Sequence, residues 1–310
     1  MTGARVLVTG ASGFIGRWTI DPLLRAGVEV HAVARRRPDQ ARTDVAWHEV
    51  DLHDRAATAA LLTHVRPTHL LHLAWYVTPG LYLTSLENLR WVGTTIGLLE
   101  AFAAAGGRRV VVAGTSAEYD AADGLCVEGR TPIAPTTLYA ACKRSVYEVL
   151  RCWAPQVGVT FGWGRVFFLH GPDEAPGRLV PQLVRSGLTG EPFRMRYPAQ
   201  VRDYLHVADT AGALVALLAS GVQDAVNIAS GEPVVLADLA RGVGRCLDRP
   251  VTLLAADVSS DPVPTLVGDA ARLRAEVGFV PRYTSSEGLR NTVEWWKARK
   301  ELGAHMSELT

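Results

Sequence analysis

The chain is poor in cysteine, has no long apolar run and carries almost no net charge, and each lack removes a class of function. Its four cysteines, Cys126, Cys142, Cys152 and Cys246, fall at irregular spacings without a CxxC pair. That pattern indicates neither a zinc site nor a disulfide framework, and free thiols in a reducing compartment are the simpler reading. No apolar stretch reaches the roughly 20 residues needed to cross a bilayer, and LVALLAS after Ala213 falls well short. The opening MTGARVLVTG enters a strand pattern at once, without the charged, apolar and cleavage regions of a secretory signal. With 32 basic and 31 acidic residues there is no electrostatic footprint for nucleic acid or an anionic membrane. Any ligand must be recognised locally, no metal site is expected, and the expected setting is the cytoplasm.

What the sequence does contain is a regular alternation. A length of 310 residues, 48% of them hydrophobic, suffices for a sizeable core. RVLVTG from Arg5 reads as a strand, 13–26 as a helix, VEVHAVA from Val28 as a strand and 55–65 as a helix. THLLHLA from Thr68, a helix over about 85–105 and the apolar run RVVVAGT from Arg109 follow. Strands separated by helices of 10 to 20 residues predict parallel βαβ units, and continuous apolar strands predict a sheet covered on both faces. The fold class is therefore α/β, doubly wound. From about Gly171 the pattern loosens into a Pro- and Gly-bearing stretch. Residues 171–310 are expected to form mainly a smaller substrate-binding lobe, with 203–235 returning to the main domain of 1–170.

The first strand runs into Thr9-Gly10-Ala11-Ser12-Gly13-Phe14-Ile15-Gly16. Gly10 permits a tight turn, Gly13 lets backbone N–H groups approach a pyrophosphate, and Gly16 lets the helix pack on the strand. Ser12, Phe14 and Ile15 complete the loop, and the helix N-terminus faces the anion. Between a strand and a helix, this trio marks a Rossmann-type dinucleotide site. At the end of the second strand an acidic residue would hold a free ribose diol, yet Ala34 is followed by Arg35-Arg36-Arg37. Guanidinium groups suit a phosphate monoester and cannot accept from a hydroxyl. NADP(H) is favoured on this ground, with Arg35 and Arg36 at its 2′-phosphate. Asp51 and Leu52, after the third short strand, are placed for the adenine.

Tyr139 and Lys143 stand four apart in a helical stretch, on one face and about one turn apart. A neighbouring ammonium favours the phenolate and makes the tyrosine a usable acid or base. Thr115, at the end of an apolar strand, can offer its hydroxyl to the same substrate oxygen. An isolated YxxxK is common by chance. Here it stands in order with TGASGFIG, Asp51-Leu52, His72-Leu73-Ala74, Thr115 before Tyr119, Gly171-Pro172, Arg202-Asp203-Tyr204, His206-Val207-Ala208-Asp209, Asn227-Ile228-Ala229-Ser230-Gly231 and Gly278-Phe279-Val280-Pro281. In that order the motifs resemble the extended short-chain dehydrogenase/reductase family, in its nucleotide-sugar branch, over nearly the whole chain.

The resemblance implies a catalytic triad of Thr115, Tyr139 and Lys143, with Lys143 also at the nicotinamide ribose and Leu73 and Ala74 beside the cofactor. It implies that Arg202 meets the nucleotide diphosphate of a substrate. Departures from the family pattern bear on the reaction. The Asp-Glu pair that follows the catalytic Thr in 4,6-dehydratases is replaced by Ser116-Ala117, with Glu118 one position late. Phe168 stands where many epimerases carry a sugar-binding Asn, and Trp91 where a helix Asn is usual, with Asn88 one turn earlier as a substitute. Trp75-Tyr76 replaces small residues, and the bulk of Trp75 is expected to shape a pocket for a deoxygenated sugar. The family's later Arg-x-Gly-Asp stretch is missing from Ser260-Asp261-Pro262-Val263-Pro264, which leaves Arg178 as a candidate second phosphate contact. His72 reads as a satisfied core histidine. The expected activity is NADPH-dependent reduction of the C4 keto group of a nucleotide-activated 4-keto-6-deoxyhexose, by a homodimer. Alternatives are an NAD(P)-dependent nucleotide-sugar 4-epimerase and, more remotely, a non-catalytic NADP sensor.

Overall fold

The computed structural model describes residues 1, 3–120, 124–255 and 265–301. The stretch 260–264 lies outside them. The first half of the chain lays down β1 (Arg5–Thr9), α1 (Gly16–Arg25), β2 (Glu29–Ala34), β3 (Ala46–Glu49), α2 (Arg55–Val65), β4 (His69–His72), α3 (Glu87–Ala104), β5 (Arg109–Thr115), β6 (Leu125–Cys126) and α4 (Leu138–Trp153). There follow β7 (Thr160–Val166), β8 (Phe168–His170), α5 (Leu179–Thr189), β9 (Phe193–Met195), β10 (Val201–His206), α6 (Val207–Ala219) and β11 (Asp224–Ile228). The described chain closes with β12 (Pro233–Val235), α7 (Leu236–Leu247), β13 (Leu253–Ala255), β14 (Val267–Gly268), α8 (Ala271–Ala275) and α9 (Ser285–Glu301).

Seven strands form one sheet in the order β11-β7-β5-β4-β1-β2-β3. All six pairings are parallel. Side chains alternate across it: Leu7, Leu70, Val110 and Val112 pack with Leu62, Leu98, Val146 and Leu150 from α2, α3 and α4. Val6, Val8, Leu71 and Val111 face the other way, onto Ile20 and Leu23 of α1 and Leu214 and Leu217 of α6. Both faces are thus buried, which is why these strands read as unbroken apolar runs. Two helices start on side-chain caps: Asp54 Oδ1 accepts from Ala57 N at 2.9 Å, and Thr137 Oγ1 from Ala140 N at 3.2 Å.

β10 pairs with β8 and β12 in a separate three-stranded sheet, while α6 and β11 return the chain to the large one. A second core of Val180, Leu183, Val243, Leu247 and Val293 joins α5, α7 and α9. Strand order reverses between β1 and β4, and the crevice at the carboxyl ends of strands on either side of such a reversal is where open α/β sheets bind ligands. Among the described residues no helix is long and apolar enough to cross a membrane, and no group of His, Cys, Asp and Glu is arranged to hold a metal.

Candidate active site

At the carboxyl end of β1, Gly10 has φ 68°, and a Cβ added there would stand 2.8 Å from the Ala74 nitrogen. A Cβ at Gly16 would fall 2.0 Å from the Gly10 carbonyl oxygen. The turn and the approach of helix to strand therefore both require glycine. Ser12 and Gly13 at the crest are exposed, ahead of the N-terminus of α1. The loop fits a dinucleotide pyrophosphate: its backbone is bare where an anion would approach, and the helix dipole has the right sign. Arg17, which sequence reasoning missed, braces the loop by donating from Nε to Gly13 O at 3.2 Å and from an Nη to Ser12 O at 3.1 Å. It also forms an ion pair with Asp173, which Arg299 approaches at 3.8 Å.

The other residues expected at a dinucleotide lie at three strand ends. Arg35, Arg36 and Arg37 are exposed after β2. The Arg37 backbone N–H donates to Glu49 Oε1 at 3.2 Å, and among the described residues no carboxylate pairs with the Arg35 or Arg36 side chains. Asp51 is exposed and accepts from the His53 backbone, while Leu52 is buried beside it. Leu73 and Ala74 both donate backbone N–H groups to Thr9 Oγ1, at 3.2 and 3.4 Å. Thr9 also meets His72 Nδ1 at 2.7 Å, and Thr95 meets His72 Nε2 at 3.0 Å. Both ring nitrogens of His72 are thus occupied, and burial pushes it down to about 3, so it remains neutral. It pins β1, β4 and α3 together rather than moving protons.

Thr115, Tyr139 and Lys143 converge across β5 and α4. Thr115 ends β5 with its backbone N–H on Glu118 Oε1 at 3.0 Å, and its Oγ1 accepts from Ala117 N at 3.2 Å. Tyr139 is 8% exposed, and burial pushes its phenol well above the usual range, while a hydrogen bond with the Thr115 side chain pulls the other way. Lys143 is 3% exposed and donates from Nζ to Ala113 O at 2.8 Å. Burial lowers it to about 7, against the opposing influence of Glu118. Burial leads the influences on Tyr139, the expected ammonium effect of Lys143 is not among them, and a neutral phenol is what the site holds near neutral pH.

The glycine cradle followed by this threonine, tyrosine and lysine coincides with a match of residues 6–229 to the model of the NAD dependent epimerase/dehydratase family. The chain belongs to that family. A dTDP-glucose 4,6-dehydratase of Neisseria meningitidis serogroup B (strain ATCC BAA-335 / MC58) is 27% identical, over 96% of this chain and 94% of the relative. A dTDP-4-dehydro-6-deoxy-D-allose reductase of Streptomyces sp is 26% identical, over 96% of this chain and 98% of the relative. The UDP-glucose 4-epimerase of Thermus thermophilus, solved in complex with NAD, superposes with TM-score 0.82 at 26% identity, over 94% of this chain and 99% of that one. This epimerase/dehydratase-family chain is an enzyme of nucleotide-sugar modification that works with a nicotinamide dinucleotide.

In this family member the two arginines expected at the substrate are carried on aromatic rings. The Arg202 guanidinium lies 5.3 Å from the Phe168 ring centre, and Arg178 lies 5.0 Å from that of Tyr82. Tyr82 meets Tyr139 edge-on at 4.9 Å, so Arg178 belongs to the surroundings of the triad. Arg202 also bridges Leu266, which precedes Val267-Gly268-Asp269. Trp75 is buried, with Nε1 donating to Asn88 Oδ1 at 2.8 Å and its ring 3.9 Å from Lys143 Nζ. Asn88 is no substitute for a substrate-binding amide. It is fully buried, and its Nδ2 donates to Tyr82 O and Ser85 O.

Glu118 is the other functional residue that sequence reasoning did not place. It is fully buried, pairs with Arg165 Nε at 3.0 Å, and accepts from Trp163 Nε1 at 2.9 Å besides Thr115 N. Its carboxylate fixes the end of β5 against β7. Asp203 and Asp209, from two of the motifs, hold the fold rather than a ligand. Asp203 accepts from Ser230, Gly231 and Gly268 backbone nitrogens, and Asp209 from those of Arg282 and Tyr283.

Proposed function

We propose that the protein is an NADPH-dependent ketoreductase acting on the C4 carbonyl of a nucleotide-activated 4-keto-6-deoxyhexose. The observation that carries the cofactor choice is the exposed Arg35 and Arg36 at the end of β2, with no acidic partner at the position that would read a free diol. A net reductase draws on reduced NADP, whereas an epimerase regenerates its cofactor within each turnover. Elimination chemistry is disfavoured by the same site. Ser116 and Ala117 offer no carboxyl group, and both oxygens of buried Glu118 are committed to Thr115, Trp163 and Arg165.

When bound, the reduced nicotinamide supplies a hydride to the carbonyl carbon. Gly10, Gly13 and Gly16 would hold its pyrophosphate, Arg35 and Arg36 its 2′-phosphate, Asp51 and Leu52 its adenine, and Lys143 its nicotinamide ribose. Tyr139, kept neutral by burial, delivers its proton to the carbonyl oxygen as that oxygen becomes an alkoxide. The Thr115 hydroxyl holds the same oxygen, and the Lys143 ammonium stabilises the phenolate left behind. Arg202 and Arg178 meet the two phosphates of the substrate, with Phe168 and Trp75 as apolar walls. Exposed Leu89 on α3 and Val149 on α4 support a homodimer through these helices, to be read from the solution mass against the 33.4 kDa chain.

A 4-epimerase is the second reading, favoured by the fold shared with the Thermus enzyme. Incubation with NADPH and CDP- or dTDP-4-keto-6-deoxyglucose separates the two. The reductase consumes reduced nicotinamide in step with product. No loss of its absorbance, together with NAD held through purification, would sink the reductase reading.

A further inference from the structure

We propose that Trp75 is a positioning residue for Lys143, its indole face holding the lysine ammonium at a place where, among the described residues, no carboxylate contacts it. Lys143 Nζ lies 3.9 Å from the centre of the Trp75 ring, and its protein hydrogen bond goes to the Ala113 carbonyl. Among the described residues no carboxylate pairs with it. The titratable groups around it are Tyr139 on its own helix, Glu118 on the turn after β5 and neutral His72 on β4. An ammonium over an indole face is attracted by the ring quadrupole, most strongly where water is excluded.

The indole is itself held at three points. Its N–H is fixed on Asn88, the Asn88 amide on two backbone carbonyls, and the Trp91 ring stands 5.9 Å from it. Two departures from the family pattern, at 75 and 91, thus form one assembly with Asn88. It places a π face against the lysine and closes the rear of the site with rings. Burial already draws Lys143 down to about 7, so whatever favours its cation decides its charge in the working range.

The inference rests on the reading of Lys143 as catalytic, and the test therefore has an arm that needs no substrate. The chain contains only three lysines, Lys143, Lys297 and Lys300, so lysine labelled with 13C at Cε gives a spectrum assignable with Lys143→Arg. In Trp75→Leu the Lys143 midpoint should fall by about one pH unit, and in Trp75→Phe, which keeps a ring, by less. Should Trp75→Leu not fold, biosynthetic replacement of tryptophan by its mono- and difluoro analogues keeps the shape while withdrawing π density. The midpoint should then fall with each fluorine. With the reductase substrate, the alkaline limb of kcat against pH should move by the same amount. A Lys143 midpoint indifferent to fluorine, or unmoved in folded Trp75→Leu, overturns the proposal. Absence of turnover with an intact midpoint shift overturns the reductase reading instead.

Discussion

Tyr139 and Glu118 mark the two ways a single side chain matters here. Tyr139→Phe removes the proton donor and almost no packing, so turnover should fall by about 10²–10⁴ with little change in unfolding temperature. In the wild type, turnover should decline as pH rises through about 7, where Lys143 loses the proton that stabilises the phenolate. Glu118→Gln should do the reverse of Tyr139→Phe in emphasis. It leaves Arg165 buried without its partner, a loss of about 3–5 kcal/mol by urea unfolding, and slackens the end of β5 under Thr115. The placement of Tyr139 and Lys143 together on α4 was legible because the two are neighbours in sequence on one helical face. Glu118 was not, since its meaning depends on Arg165 and Trp163 on another strand. Arg17 was missed for the same reason: its partner Asp173 is far along the chain.

Among elements, the strands and helices bounded in the first half were legible to within three residues at each end. The helix over 55–65 and the strand from Arg109 coincide with α2 and β5 because buried parallel strands and capped helices carry local signals. Less was legible past Gly171, where β8, β10 and β12 are three to six residues long and owe their pairing to distant partners. The expectation that matters most at this scale concerns the end of β2. Arg35→Ser with Arg36→Ser should raise the KM for NADPH by about a hundredfold, at about 1.5 kcal/mol for each guanidinium withdrawn from the phosphate, and leave that for NADH almost unchanged. Equal losses with both cofactors would mean that the arginines serve the loop's stability and not its 2′-phosphate.

For the whole molecule, buried titratable groups set opposing slopes of stability against pH. His72 and His170 are held neutral, with folded values near 3 against an ordinary 6.5. The unfolded chain therefore binds more protons between 6.5 and 3, and stability should drop as pH falls through that window. Glu174 works the other way. Burial raises it from 4.5 to about 8, so the folded chain binds the extra proton and stability should drop as pH rises between those values. Two histidines against one glutamate predict a urea midpoint clearly lower at pH 4 than at pH 6.5, and between pH 7 and 8 the slope from Glu174 is offset by Lys143, lowered from 10.5 to about 7. In His170→Asn the acid slope should flatten.

Asp173 takes a left-handed backbone conformation, φ 66°, in a segment that reaches both Arg17 beneath the glycine loop and Arg299 near the end of α9. The first described helix and the last described one are thereby tethered through one carboxylate. On the proposed reading of the glycine loop as a pyrophosphate cradle, clipping the chain ahead of Arg299 should loosen cofactor retention without removing any residue expected at the cofactor.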